Sequence, residues 1–225
     1  TGRKLPRAEA RPIRAFRPTG LQMIFALLCR PDLVKAPYRR IAEVAGVALG
    51  TVEPAMNDLK RLDHLVERPG HGRKLTNVRK LLDTWVMTYA QQLRPKHFLG
   101  RFHGLTDQWW TTATRQGLHV HLGGEIAAAQ VTHYLKPEKI TVYMEGDLND
   151  FLQRHRLARD AAGETELIRT FWHFTYDWPH PHLAPPLLIY ADLMATADAR
   201  NIETGKMIYD RYLAGLVREE DEQKK

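Results

Sequence analysis

The sequence predicts an α+β protein, and three observations predict it. Between residues 19 and 62, apolar side chains recur at helical spacing in three short runs, and a glycine-containing turn joins the second run to the third. A hairpin pattern with a glycine-rich basic tip follows at 64–76. From residue 97 onward, strand-like and helix-like patterns alternate, which implies a second, mixed α/β region with its own sheet. Three helices followed by a hairpin spell a winged helix-turn-helix module, so the expected order is that module first and the α/β region second.

The first helix starts at Thr19, a plausible cap, carries Leu21, Ile24, Phe25, Leu27 and Leu28 on its apolar face, and stops at Pro31. The second spans Tyr38 to Ala45, with Ile41, Val44 and Ala45 on one side and Gly46 as a left-handed terminus. The third spans Thr51 to about Leu62. Its apolar face is Val52, Ala55, Met56, Leu59 and Leu62, with Glu53, Asn57, Lys60 and Arg61 largely opposite and Pro54 expected in its first turn. His64–Glu67 and Lys74–Thr76 read as the two strands of the wing, with Arg68–Arg73 as its turn. A long amphipathic helix from Asn77 to Leu93 then ends at Pro95.

In the second region, strands are predicted at 97–102, 118–122, 139–144 and 167–174. Helices are predicted across Trp109 and Trp110, at 125–134, at 148–156 and at 202–217, and 178–186 reads as a proline-rich loop. The division that follows is a flexible basic arm at 1–18, the DNA-binding module with its linking helix at 19–93, a regulatory α/β region at 94–218 and a charged tail at 219–225.

Charge is distributed unevenly. Residues 1–80 hold 17 Lys and Arg against 7 Asp and Glu, while the remainder of the chain holds 16 against 19. A basic N-terminal third matches a polyanion such as double-stranded DNA, and equally a solvated surface. No run of about eighteen apolar residues exists to span a membrane, so no membrane partner is expected and the expected location is the cytoplasm. The single cysteine, Cys29, lies in an apolar helical pattern and reads as a buried thiol.

With the third helix in a major groove, Thr51, Asn57, Lys60 and Arg61 are the candidate contacts. Asn57 suits adenine and Arg61 suits guanine or phosphate, while Thr51 is equally readable as a helix cap. Glu53 is readable as an acceptor from cytosine or as a favourable charge at the helix start. Arg39, Arg40, Arg68, Arg73 and Lys74 suit phosphates or a minor groove better than base selection. Such readers often bind two half-sites, which makes a homodimer a compatible state.

His119, His121, His173, Asp177, His180 and His182 are the nearest approach to a metal cluster, but their spacings fit no zinc motif, so no metal or other cofactor is expected. Glu125, Glu145, Asp147 and Asp192 are the carboxylates from which a two-metal nuclease site would be assembled, although nothing in the sequence brings them together. No catalytic residue is assigned. A metal-dependent nuclease and a protein-interaction module with a helix-turn-helix that does not bind DNA remain the alternatives.

The segments Gly-Leu-His-Val-His-Leu-Gly-Gly-Glu-Ile-Ala-Ala-Ala at 117–129 and Pro-Pro-Leu-Leu-Ile-Tyr-Ala-Asp-Leu-Met-Ala-Thr at 185–196, downstream of the winged module, resemble the AbiEi-type antitoxins of type IV toxin–antitoxin systems. The resemblance spans most of residues 19–218. It implies a phage-defence setting, repression of the chain's own operon through the winged module, and a C-terminal region that counteracts a nucleotidyltransferase toxin without a stable complex. It transfers no catalytic residues.

Overall fold

The computed structural model describes residues 13–106, 108–115 and 120–217. Most of the predicted basic arm, the start of the predicted strand at 118–122, and the charged tail lie outside the described residues.

Helix α1 (Pro18–Cys29) begins one residue before the predicted cap. Pro18 supplies the first turn, where its missing N–H costs nothing, and Arg17 rather than Thr19 is the N-cap. A 3-10 turn (Pro31–Lys35) leads to α2 (Tyr38–Ala45), which Gly46 closes at φ +66°, a left-handed terminus that glycine adopts without strain. Helix α3 (Leu49–Arg61) buries Val52, Ala55, Met56 and Leu59, as its spacing predicts.

Two details of α3 correct the sequence expectation. The helix starts two residues early, with Ala48 as N-cap, so Thr51 is a half-buried residue of the first turn and not its cap. Pro54 consequently lies inside the helix rather than in its first turn. A proline there clashes with the carbonyl four residues back and leaves it unpaired; that residue is Gly50, around whose Cβ position nothing lies within 4 Å.

Strands β1 (Leu65–Arg68) and β2 (Gly72–Leu75) pair antiparallel as a two-stranded hairpin. Helix α4 (Val78–Thr88) continues through a π-helical turn, Tyr89–Leu93, into α5 (Arg94–His97). The predicted stop at Pro95 does not occur, because the wider π turn passes the chain over the carbonyls that the proline ring would otherwise strike.

The remaining strands, β3 (Phe98–Gly104), β4 (Val120–Gly123), β5 (Ile140–Met144), β6 (Leu157–Arg159) and β7 (Thr165–Arg169), form one sheet in the order β4-β5-β7-β3-β6. Only β5 and β7 run parallel. All five residues of β5 are buried, as befits a strand covered on both faces. The helices of this region are α6 (Trp109–Arg115), α7 (Gly124–Thr132), α8 (Leu148–His155), α9 (Pro186–Ala195) and α10 (Ala199–Ile208), the last extended by a second π turn at Tyr209–Leu213.

One apolar core runs through both parts of the chain. Phe25 of α1 stacks on Trp85 of α4 at 5.4 Å, and Trp85 stacks on Tyr89 at 5.0 Å. The segment that follows β7 completes this aromatic layer, with Phe171, Trp172 and Phe174 set around Phe25 at 5.3–6.0 Å. Trp85 also satisfies its indole N–H on the Leu21 carbonyl at 2.8 Å.

Candidate functional site

Two polar regions stand out, an exposed surface built by α2, α3 and the hairpin, and a buried centre between the sheet and α9.

On the exposed surface, the outward side of α3 presents Leu49, Gly50, Glu53, Asn57 and Arg61, all exposed. The predicted contact residues divide by what already holds them. Arg39, Asn57 and Arg68 are exposed and have no side-chain hydrogen bond or ion pair among the described residues. Arg40 pairs with Glu43 at 2.9 Å. Arg61 pairs with Asp58 at 3.1 Å, and Lys60 with Glu67 of β1, which ties α3 to the hairpin.

Arg73 turns inward. Its guanidinium donates to the Ala36 carbonyl and lies 4.6 Å from the Tyr38 ring, fastening the hairpin to the turn before α2. Lys74 is half-buried and lines, with Lys35, Leu28 and Val34, a groove of about 200 Å³ at the hairpin base.

Two features of this surface were not among the predicted contacts. Asp58 accepts the backbone N–H groups of Arg14 and Ala15, and Ala15 is fully buried, so the residues just before α1 are fixed against α3 rather than free. Burial opposes ionisation of Asp58, but these two amides and Arg61 outweigh it and hold its pKa below the ordinary carboxylate value. Leu49, half exposed at the start of α3, is the other, and a periodicity argument passes over it because it faces away from the core.

The buried centre is built on Asp192 of α9. Its carboxylate accepts from Tyr89 Oη at 3.1 Å, Arg94 Nε at 3.2 Å and Tyr143 Oη at 2.8 Å, while the two tyrosine hydroxyls lie 2.6 Å apart. Arg94 also reaches Glu166 of β7 at 2.6 Å, and Arg101 joins Glu166 at 2.8 Å. The π turn explains why Tyr89 and Arg94 converge here, since it alters the spacing by which they would otherwise leave the helix. Burial pushes the Asp192 carboxyl up despite Arg94 and the tyrosines, and pushes both tyrosine hydroxyls well up as well. At Glu166 the balance reverses, because Arg94 and Arg101 overcome burial and lower its pKa.

The glycine pair Gly123-Gly124 opens α7 directly against this centre. A Cβ on Gly123 would stand 2.6 Å from the Tyr143 ring and 3.0 Å from Asp192 Oδ2, and Gly124, at φ +48°, abuts Thr141. The pair is therefore needed for close approach. The described part of the first segment quoted above, 120–129, meets the second, 185–196, at this point.

The carboxylates of the nuclease alternative do not assemble. Glu125 and Asp192 line one cleft of about 280 Å³, Glu145 and Asp147 another of about 360 Å³. Asp147 caps α8 by accepting from the amides of Asn149 and Asp150, and Glu125 accepts from those of Glu138 and Lys139. Of the histidines, His119 lies outside the described residues, His182 bonds Gln130 at 2.9 Å, and His121 packs on Trp172. Among the described residues no three His, Cys, Asp or Glu side chains are grouped to hold a metal. No helix among them is long and apolar enough to cross a membrane.

These features define a mixed α+β protein in which a helical unit with an exposed face carrying Arg39, Arg61 and Arg68 shares its core with a sheet and its covering helices, whose buried carboxylates Glu125, Glu166 and Asp192 are committed to internal partners. A family model described as "Transcriptional regulator, AbiEi antitoxin, Type IV TA system" matches residues 74–214, and the chain belongs to that family. The match includes both the glycine pair and Asp192, and it leaves α1, α2, α3 and β1 outside. Neither the curated proteins nor the solved structures contain a match to this chain.

Proposed function

We propose that the chain is a DNA-binding transcriptional regulator that acts as the antitoxin of a type IV toxin–antitoxin system, repressing its own operon and counteracting a nucleotidyltransferase toxin. Residues 19–93 are the reader, with α3 as recognition helix and the β1–β2 hairpin as wing, and residues 94–218 carry the antitoxin role. The toxin is a functional partner without a stable complex, and the operator, if two-fold symmetric, engages two copies of the chain.

The observation that carries the reading is the exposed side of α3, where Asn57 and Arg61 stand one turn apart with Arg39 and Arg68 on the flanking elements. Asn57 is free to meet an adenine edge at once. Arg61 must first leave Asp58, a pair whose arginine is half exposed and which is worth on the order of 1 kcal/mol, and a phosphate or a guanine edge replaces it. Arg73 belongs to the anchoring of the wing, and its loss should act on wing position.

The test is a gel-shift titration of full-length protein against the DNA upstream of its own gene and a scrambled duplex, at two salt concentrations with magnesium present. The double substitution Asn57→Ala with Arg61→Ala should weaken binding to the upstream DNA by roughly ten-fold or more, from losses of about 1–3 kcal/mol per base contact, with the melting temperature unchanged. Undiminished specific binding by a folded double variant would reject α3 as the reader. Magnesium-dependent cutting would replace regulation by nuclease action.

A further inference from the structure

We infer that the first turns of α3 read pyrimidines, and that Leu49 does so by packing on the C5-methyl groups of thymines in the major groove. This inference rests on the proposal that α3 is the recognition helix. It assigns a specificity role to a residue outside the polar contact set.

Leu49 is 50% exposed, and among the described residues no other large apolar side chain of α3 is exposed. A single exposed leucine on a protein surface requires no explanation. What singles out Leu49 is the chemistry around it. Ala48 and Gly50 beside it are exposed and carry no polar side chain, and Gly50 has open space at its Cβ position. Pro54, one turn on, has no N–H. The other side chains of the first turns are Thr51, half-buried; Val52, buried; and Glu53, exposed and acceptor-only when ionised.

Among the side chains of residues 48–54 only Thr51 carries a donor, and it is half-buried, so the exposed side chains at this end of the helix do not match the N7 and O6 acceptors of guanine. This end has what pyrimidine edges take: an apolar surface for the thymine methyl and, at Glu53, an acceptor for the cytosine amino group. Exposed side-chain donors appear further along, at Asn57 and Arg61. The helix is therefore graded from an apolar tip to a polar middle. The N-terminal residues of a recognition helix are those that meet base edges, and the basic residues Arg39 and Arg68 on neighbouring elements complement the phosphates on either side.

The experiment first selects a preferred duplex from a randomised library with the full chain, then compares that duplex with the same sequence synthesised with deoxyuridine for thymidine. Wild-type protein should lose about four-fold in affinity for each methyl group that Leu49 covers, from about 0.8 kcal/mol per buried methyl. Leu49→Ala should bind the thymine and uracil duplexes equally, with an unchanged melting temperature, because the side chain is half exposed.

Equal binding of both duplexes by the wild type, or a thymine preference that persists in Leu49→Ala, would overturn the assignment while leaving α3 as the reader. Selection that enriches no sequence would overturn the reader itself. Self-association of the free protein that vanishes in Leu49→Ala would assign the residue to a contact between copies of the chain instead.

Discussion

Replacing Asp192 by alanine removes one carboxylate from a site that is 2% exposed and leaves three donors behind. The two tyrosines keep each other at 2.6 Å, so their hydroxyls are not both orphaned, and Arg94 keeps Glu166. The loss is therefore less than that of an isolated buried pair. Breaking such a pair costs about 3–5 kcal/mol, and with Arg94 still 20% exposed and half compensated, the lower end of about 3 kcal/mol applies. For a chain of this size each kcal/mol shifts the melting temperature by about 2–4 °C, which places the drop at about 6–12 °C. Asp192→Asn keeps the volume and one acceptor oxygen and should lose less than half as much. Thermal unfolding of the three proteins followed by circular dichroism measures both effects. A shift below about 2 °C for a correctly folded Asp192→Ala would refute the idea that this carboxylate organises the centre, and Asn losing more than Ala would refute the ranking.

Gly123→Ala should cost about 1–3 kcal/mol, since a methyl at 2.6 Å from the Tyr143 ring has to displace a fully buried side chain; urea unfolding with an unchanged midpoint would contradict it. Acid should destabilise the fold below about pH 6.5, because burial lowers the pKa of His64 and of His155, so the unfolded chain binds these protons more readily than the folded one. Their stabilising contribution is whole above the ordinary histidine pKa and declines as pH falls through it. Among the described residues His155 Nε2 has no hydrogen-bond partner, while at His64 the backbone at Thr76 and Asn77 favours the imidazolium but does not outweigh burial. Glu166, with its lowered pKa, adds a loss of the same sign further into the carboxylate range, while the raised Asp192 opposes it. Melting temperatures that are flat or rising from pH 7.5 to 5.5 would contradict the histidine assignment.

What the sequence revealed depended on whether each element keeps a polar side. Helices α2, α3 and α4 and the hairpin follow from their patterns because each is half solvated, and α8, with Phe151 inward and Asp147 capping, follows for the same reason. No helix was expected at 186–195, because Pro186 to Leu193 are all buried and α9 has no polar face to mark a 3.6-residue period. Strand β6 is three residues long, too short to alternate visibly, and the strand expected to reach 174 ends at Arg169, because the apolar residues beyond it pack on α1 rather than on the sheet. The centre itself was illegible for a topological reason. Tyr89, Tyr143, Glu166 and Asp192 come from four elements, and only the fold, with a π turn inside an otherwise regular helix, brings them within hydrogen-bonding distance.

The contacts of residues 171–174 bear on how the two regions of the chain act on each other. Phe171 and Trp172 press on Phe25, the Phe171 carbonyl accepts from Gln22 at 3.2 Å, and His173 lies where a Cβ on Gly46 would come within 3.1 Å of its ring. Gly46 is the residue that turns α2 into α3, so a segment inside the family-matched region touches both the first helix and the turn that aims the third. Close-packed interiors do not deform continuously. A displacement of 171–174 is therefore opposed by α1 and by the α2–α3 turn, and the direction in which α3 points is tied by packing to this segment of the family-matched region.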